Sequence, residues 1–374
     1  MRGPEIEGRP ARKRGAKHLF RPNYLSFSGT YACNLSCAHC CVPIEWEDRL
    51  DIPTAIRFLE SAHDAGIRIL GFTGGEPFIY PEFVVALSRR AVELSKTDRK
   101  NPWRFDKVMS NGTWYEDRAQ LERVLTELRD TGYSGRIGLS VDKFHPVRTE
   151  RLVTFCEVVA DVFQRDDILA INYASADRKK GLERVQALAK AMNAAIGWSD
   201  VLGGYMLVSD RHSAVLHWNH LAPIERAERL GGGFDGDTWF GEDWCEGPGQ
   251  ALIITPKGEI KPCCGFASDL DQLTIGSIHE HSAKEAIRLG RAHPYVGKVF
   301  RDGLLKVRDE VLAARPDALP GATSNHCFFC WYVLTRGLVE GLPGGGGKVG
   351  DWISPAPGVP APATAGLKKL PIVG

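Results

Sequence analysis

Short apolar runs rich in β-branched and aromatic residues alternate with longer amphipathic segments through the first half of the chain. The short runs predict strands at 24–29, 67–75, 105–112, 136–142, 168–174 and 204–209. The amphipathic segments predict helices at 53–66, 81–96, 117–132, 149–164 and 181–195. This alternation is typical of βαβ units and a parallel sheet. Six strands are too few for a closed eight-stranded barrel, so the predicted fold class is α/β with a partial (βα)6 TIM-like barrel.

Four chemically suggestive loops follow strands of this series. They are the cysteine-rich stretch CNLSCAHCC at 33–41, TGGEP at 73–77, SNGT at 110–113 and SVDKFHP at 140–146. Functional groups of parallel-sheet proteins collect at the carboxyl ends of the strands. The sequence therefore predicts a functional site on this rim of the barrel.

The pattern changes after residue 210. ALIITPKGEIKPCC predicts a hairpin with Pro256 and Gly258 at its turn, a helix follows at 282–293, and a looser segment precedes CFFCW, which opens another helix. From about residue 342 the chain is rich in Gly, Pro and Ala, a composition typical of disorder. The predicted organisation is a basic N-terminal extension (1–22), the barrel (23–210), a small cysteine-rich domain (211–341) and a disordered tail (342–374).

Composition and charge exclude several classes of protein. The 374 residues include 47 Lys and Arg against 46 Asp and Glu, and this balance argues against nucleic-acid partners. The basic start of the chain lacks the apolar stretch and cleavage site of a secretory signal, and no run approaches the roughly 18 apolar residues of a membrane span. We therefore expect a soluble, cytoplasmic protein without a membrane partner. Cytoplasmic thiols stay reduced, so the ten cysteines favour metal or redox chemistry over disulfides.

The first cysteine motif, Cys33-x3-Cys37-x2-Cys40, directly follows the first predicted strand. Taken alone, three thiolates on one loop suit either zinc or three irons of a cubane [4Fe–4S] cluster. The motif, the strand before it and GGEP at the end of the second strand together resemble the radical SAM superfamily over residues 23–210. This resemblance implies that the three cysteines ligate a cluster whose fourth iron binds S-adenosylmethionine (SAM).

The same resemblance assigns further residues to SAM binding. They are His39, Gly74, Gly75, Glu76, Pro77, Ser110, Asn111, Ser140 and Asp142. His39 occupies the position before the third cysteine, which in the family is usually aromatic and packs near the adenine. The GGEP glycines let the backbone come close to the methionyl amino group. The serines, Asn111 and Asp142 lie where the family places ribose contacts, although Ser140 and Asp142 also suit ordinary polar strand ends.

A second group of cysteines lies in the C-terminal half: Cys245, Cys263, Cys327 and Cys330. Four thiolates on a hairpin and a helix turn suit tetrahedral zinc or a second iron–sulfur cluster. The arrangement resembles the shortened SPASM, or twitch, domain, which implies one auxiliary [4Fe–4S] cluster. Cys264 is the alternative to Cys263, because strand alternation turns one of two neighbouring side chains toward the cluster.

Two cysteines remain. Cys156 lies within an amphipathic helix and is predicted to be a core residue. Cys41 follows the cluster loop and is predicted to be an alternate ligand, a packed neighbour or a hydrogen-atom donor. Together with Asp142 and His145 in VDKFHP it is a candidate catalytic residue, and ordinary loop polarity is the alternative for the last two.

The resemblance implies reductive cleavage of SAM to a 5′-deoxyadenosyl radical that abstracts a hydrogen atom from the substrate. An auxiliary cluster would accept an electron from the substrate radical and thus favours oxidation, such as a cross-link or a dehydrogenation. We expect a maturase of ribosomal peptides with a flavodoxin- or ferredoxin-type reductant. Because 32 residues precede Cys33, a leader-binding module would be a separate protein. The alternatives are dehydrogenation or epimerisation of a small metabolite such as a sugar or aminocyclitol, and a non-catalytic zinc scaffold.

Overall fold

A computed structural model describes residues 20–234, 239–240, 245, 249–263 and 270–342 of the chain. The strands are β1 (Tyr24–Ser28), β2 (Ile69–Thr73), β3 (Arg104–Ser110), β4 (Arg136–Ser140), β5 (Leu169–Ser175), β6 (Ala195–Ser199), β7 (Gly204–Val208), β8 (Ser213–His220), β9 (Ala251–Ile254), β10 (Glu259–Lys261) and β11 (Gly276–Ser277). The helices are α1 (Ile52–Asp64), α2 (Pro81–Thr97), α3 (Arg118–Asp130), α4 (Thr149–Phe163), α5 (Glu183–Ala191), α6 (Ala283–Ala292), α7 (Pro294–Asp302), α8 (Leu304–Ala314) and α9 (His326–Thr335).

The strands form one sheet in the order β11-β10-β9-β1-β2-β3-β4-β5-β8-β7-β6. Adjacent strands from β1 to β5 pair in parallel, and β8 pairs in parallel with β5. Helices α1 to α5 follow these first five strands in turn. This arrangement confirms the predicted α/β fold with a partial TIM-like barrel.

The sixth parallel strand is a correction to the sequence prediction. The segment predicted for that position, 204–209, forms β7, which pairs antiparallel with both β6 and β8. The strand that continues the parallel series is β8, which lies beyond residue 210. Each segment contains a short apolar run, so local pattern alone does not indicate which one pairs with β5.

Helix boundaries follow local capping chemistry. The Asp51 side chain accepts a hydrogen bond from the Thr54 backbone at the start of α1, and Asp117 does the same for Gln120 at the start of α3. Ser282 and Glu285 form a reciprocal capping box at the start of α6. The apolar faces of α1 to α5 pack against the sheet in one large hydrophobic core. The barrel strands are therefore held rigidly beneath their carboxyl-end loops.

The C-terminal part adds a hairpin to the barrel edge and a second hydrophobic core. Strands β9 and β10 form the predicted hairpin, Gly258 occupies its turn with a φ of +80°, and β9 pairs in parallel with β1. Helices α7 to α9 build the second core, which includes Tyr295, Phe329 and Trp331. The prediction of a looser segment before CFFCW is wrong, because most of that segment forms helices α7 and α8. His293 caps α7, and Pro294 occupies its first position.

Parts of the predicted organisation lie outside the described residues. These are most of the basic N-terminal extension, the predicted tail from residue 343, and Cys264. Within the part of the chain that the structure describes, no helix is both long and apolar enough to cross a membrane.

Candidate active site

The first cysteine loop leaves the carboxyl end of β1 and lines a cleft of about 870 Å³, which we call the thiol cleft. Cys33, Cys37 and Cys40 all lie on its wall, and the Cys40 backbone N–H donates to the Cys37 carbonyl at 3.2 Å. This tight turn brings the second and third thiols together.

The surroundings of the three thiols fit a bound metal cluster. Burial raises the pKa of Cys33 to about 11 and also raises the pKa of Cys40. Thiols in such surroundings become thiolates when metal ions supply the compensating positive charge. Cys33, Cys37 and Cys40 would therefore hold three irons of the cluster, and the rest of the cleft has room for a cofactor.

The GGEP turn packs directly against the cysteine loop. The Gly75 N–H donates to the Thr30 carbonyl at 3.0 Å, and the Glu76 N–H donates to the Ala32 carbonyl at 2.8 Å. Gly74 has a φ of +123°, and a Cβ there would lie 2.6 Å from the Thr30 carbonyl oxygen. A Cβ at Gly75 would overlap the Ala32 carbonyl. The glycines thus allow close contact with the residues that precede Cys33, as well as exposing backbone to the cleft.

We expect Gly75→Ala to destabilise the apoprotein by about 1–3 kcal/mol, because the new methyl group forces the backbone before Cys33 to move. Binding of the first cluster should weaken in parallel. Chemical denaturation and iron content per chain measure the two effects. Gly197→Ala is the matched control, since a Cβ at Gly197 meets no atom within 4 Å, and it should leave stability unchanged or raise it by about 0.5–1 kcal/mol. Equal stability and iron content in the two variants would contradict this role of Gly75.

Glu76 joins the loops after β2 and β3. Its carboxylate accepts hydrogen bonds from the Asn111 N–H at 2.7 Å and the Phe78 N–H at 3.2 Å, and from the Ser110 side chain. The side chain is almost fully buried, and burial raises its pKa to about 7 despite these bonds. Pro77, also buried, begins the short turn behind it. Glu76 therefore positions the Asn111 backbone, while Gly74 and Gly75 lie on the cleft wall.

Of the four polar residues predicted at the ends of β3 and β4, three line the thiol cleft: Ser110, Asn111 and Ser140. Asp142 lies behind the wall and is 3% exposed. Its carboxylate accepts from the Phe144 N–H and from His145 Nδ1, both at 2.9 Å. The structure thus places Asp142 as the buried partner of His145, which does line the cleft.

His39 and His145 lie side by side next to the cysteine loop. Their ring centroids are 5.1 Å apart, and His39 also contacts the Phe144 ring at 4.8 Å. Burial lowers the pKa of His39 to about 4. Burial also disfavours the charged form of His145, but hydrogen bonds to Asp142 and Cys37 outweigh it and raise the pKa of His145 to about 10. His39 is thus a neutral ring on the wall, while His145 bears a positive charge.

Arg226 is a cleft residue that sequence reasoning missed. It lies in the short 3-10 turn Glu225–Leu230 that comes after β8, and its Nε donates to the Cys37 carbonyl at 3.3 Å. Its guanidinium also hydrogen-bonds the Cys40 thiol. No local motif marks it, because only the return of the chain after the sixth parallel strand brings this turn to the cysteine loop.

The second group of cysteines also converges. Cys245, Cys263, Cys327 and Cys330 line one cavity of about 400 Å³, the four-thiol cavity. Burial raises the pKa of Cys330, whose sulfur accepts a hydrogen bond from the Tyr295 hydroxyl at 3.1 Å. Tyr295 and His326 also line this cavity, and the sequence did not predict them as site residues. The four-sulfur donor set of this cavity fits a thiolate-bound cluster.

The two remaining described cysteines differ in position. Cys156 is fully buried in the barrel core on α4, as predicted. Cys41 lies on the wall of a third cavity of about 610 Å³, the bridging cavity. Its other lining residues include Val42, Pro43, Arg226, Leu270 and Trp331. Val42, Pro43 and Arg226 also line the thiol cleft, so the two spaces adjoin.

Comparison with known proteins identifies the barrel. Residues 27–188 match the Radical SAM superfamily. The PqqA peptide cyclase of Gluconobacter oxydans is 26% identical over 263 residues, which are 63% of this chain and 68% of that protein. The antilisterial bacteriocin subtilosin biosynthesis protein AlbA of Bacillus subtilis is 23% identical over 308 residues, which are 73% of this chain and 61% of that protein.

A solved structure supports the same assignment at the level of fold. Native anSMEcpe with bound AdoMet and the Cp18Cys peptide is 15% identical, with a TM-score of 0.50, and the match covers 84% of this chain and 98% of that chain. Radical SAM enzymes bind a [4Fe–4S] cluster and SAM, and the donor set of the thiol cleft suits both. Sequence match and fold agree, and residues 27–188 of this chain form a radical SAM domain.

Proposed function

We propose that this radical SAM enzyme carries out oxidative maturation of a ribosomal peptide by forming a cross-link or introducing a double bond. Bound to the first cluster, SAM would supply the 5′-deoxyadenosyl radical that abstracts a substrate hydrogen atom. Cys33, Cys37 and Cys40 would hold that cluster, and Gly74, Gly75, Ser110 and Ser140 would line the space for SAM. Cys245, Cys263, Cys327 and Cys330 would hold an auxiliary [4Fe–4S] cluster that accepts the electron released by oxidation.

The observation that carries this proposal is the bridging cavity. It shares Val42, Pro43 and Arg226 with the thiol cleft, and its wall includes Trp331, which directly follows Cys330 in α9. A substrate bound there would lie beside the SAM site, and Trp331 would connect it to the second group of cysteines. A non-catalytic zinc scaffold has no need of a cavity beside its first thiol site.

The relatives favour a peptide as the substrate. The matches to the PqqA peptide cyclase and AlbA, over 263 and 308 residues, are longer than the radical SAM domain at 27–188, so they include sequence outside it. The first is named for its action on a peptide, and the second for its part in bacteriocin biosynthesis. The bridging cavity would be the place where a side chain of such a peptide enters. We propose a flavodoxin- or ferredoxin-type protein as the reductant, and the cytoplasm as the compartment.

Anaerobic reconstitution tests this function. The loaded protein should contain about eight irons per chain in two cubane clusters, show brown charge-transfer absorption, and release 5′-deoxyadenosine when it is reduced in the presence of SAM. Mass spectrometry of candidate precursor peptides should show the loss of two hydrogen atoms. A colourless protein with stoichiometric zinc and no 5′-deoxyadenosine would contradict the proposal. Turnover of an aminocyclitol or sugar in place of any peptide would overturn the substrate class alone.

A further inference from the structure

Two polar side chains from different parts of the fold contact the cysteine loop of the thiol cleft. Asn111 follows β3, and Arg226 follows β8. We infer that these two residues are hydrogen-bond donors to the cluster thiolates and together raise the reduction potential of the first cluster. This inference goes beyond the proposed reaction, because it concerns how readily the cluster accepts an electron.

Asn111 faces Cys33 in a fixed orientation. Its Oδ1 accepts from the Thr113 N–H and hydroxyl, both at 2.9 Å, so its Nδ2 must face the other way. Nδ2 donates to the Asn34 Oδ1 at 2.9 Å and to the Cys33 sulfur at 3.8 Å. The amide therefore presents an N–H to the first thiolate. The amide is a neutral donor, and the distance of 3.8 Å from Nδ2 to the Cys33 sulfur is long for a hydrogen bond, even to sulfur.

Arg226 makes two contacts with the cysteine loop. Its Nε donates to the Cys37 carbonyl at 3.3 Å, and the guanidinium hydrogen-bonds the Cys40 sulfur. Glu225, the residue before it, has a φ of +53°, a conformation that non-glycine residues seldom adopt. The strained backbone turns the chain so that the Arg226 side chain enters the cleft. Arg226 thus brings a permanent positive charge to the third thiolate.

Hydrogen bonds to cluster sulfurs withdraw negative charge and stabilise the reduced state, which carries one more electron. Donors that carry a positive charge act more strongly than neutral donors. We therefore expect the contribution of Arg226 to exceed that of Asn111. The consequence for the enzyme is a first cluster that a physiological reductant reduces more easily.

Redox titration of the reconstituted protein, monitored by EPR of the SAM-responsive cluster, tests this inference. At the wild-type midpoint potential, Arg226→Met should lower the ratio of reduced to oxidised cluster about tenfold, which corresponds to a shift of about 59 mV to more negative values. Asn111→Leu should shift it less. Arg226→Lys, which keeps the charge and a donor, should recover much of the lost potential.

Arg229→Met is the matched control, since Arg229 is exposed on the same 3-10 turn and does not line the thiol cleft. Its midpoint potential should equal that of the wild type. Iron content and the EPR response to SAM establish that each variant holds its cluster. If Arg226→Met loses the cluster, Arg226→Lys and Arg229→Met test the inference instead. The midpoint potential should shift slightly to more negative values in Arg226→Lys and stay unchanged in Arg229→Met. Unchanged potentials in the loaded Arg226 variants would overturn the inference and leave the proposed function intact. Failure of the wild type to bind a SAM-responsive cluster would overturn both.

Discussion

Replacement of Cys37 by alanine is expected to reduce 5′-deoxyadenosine release to background. Cys37 is the middle ligand of the thiol cleft, it is 6% exposed, and its carbonyl anchors both Cys40 and Arg226. Without its thiolate, one iron of the first cluster has no protein ligand, and SAM binding depends on that cluster. The measurement is liquid chromatography of reduced, SAM-containing reactions, together with iron content, which should fall from about eight to about four per chain.

Cys156→Ala provides the matched cysteine control. Its side chain is fully buried on α4, in the barrel core. The substitution should cost about 1 kcal/mol of folding stability through a small cavity, while iron content and 5′-deoxyadenosine release stay at wild-type levels. If Cys37→Ala still released 5′-deoxyadenosine at the rate of Cys156→Ala, the assignment of the thiol cleft would be wrong.

Cys327→Ala is expected to separate SAM cleavage from product formation. Cys327 lies on the wall of the four-thiol cavity at the start of α9, away from the thiol cleft. Loss of the auxiliary cluster should leave about four irons per chain, those of the first cluster. The variant should therefore still release 5′-deoxyadenosine but form no oxidised peptide, because the substrate radical has lost its electron acceptor. Parallel assays of 5′-deoxyadenosine and of peptide mass measure the two outcomes.

The Cys37 and Cys327 variants control for each other. Both should lose about half of the iron, but only the first should lose SAM cleavage. Normal oxidised product from Cys327→Ala would show that the four-thiol cavity does not hold the electron acceptor. Equal loss of 5′-deoxyadenosine in both variants would mean that the two cavities do not work independently.

Local sequence was sufficient for the first five strand–helix units. Each helix has an apolar face at helical spacing, and the α1 and α3 boundaries follow the Asp51 and Asp117 caps. The sixth parallel strand was not predictable in this way. The segments that became β7 and β8 have similar apolar character, and their different roles depend on pairing with β5. Strand pairing is a long-range property, and propensity does not encode it.

The same distinction between local and long-range contacts applies to the candidate site. The sequence alone predicted the first three cysteines and the GGEP turn, because close spacing along the chain already brings the first three thiols onto one loop. For the second set it left Cys263 and Cys264 as alternatives. Only the tertiary structure decided that Glu76 holds two loops together, that Asp142 lies behind His145, and that Arg226 reaches the cysteine loop. The physical reason is that ligands on one loop meet through local geometry. Contacts between separate strand ends depend instead on how the sheet is ordered and on which way each buried side chain points.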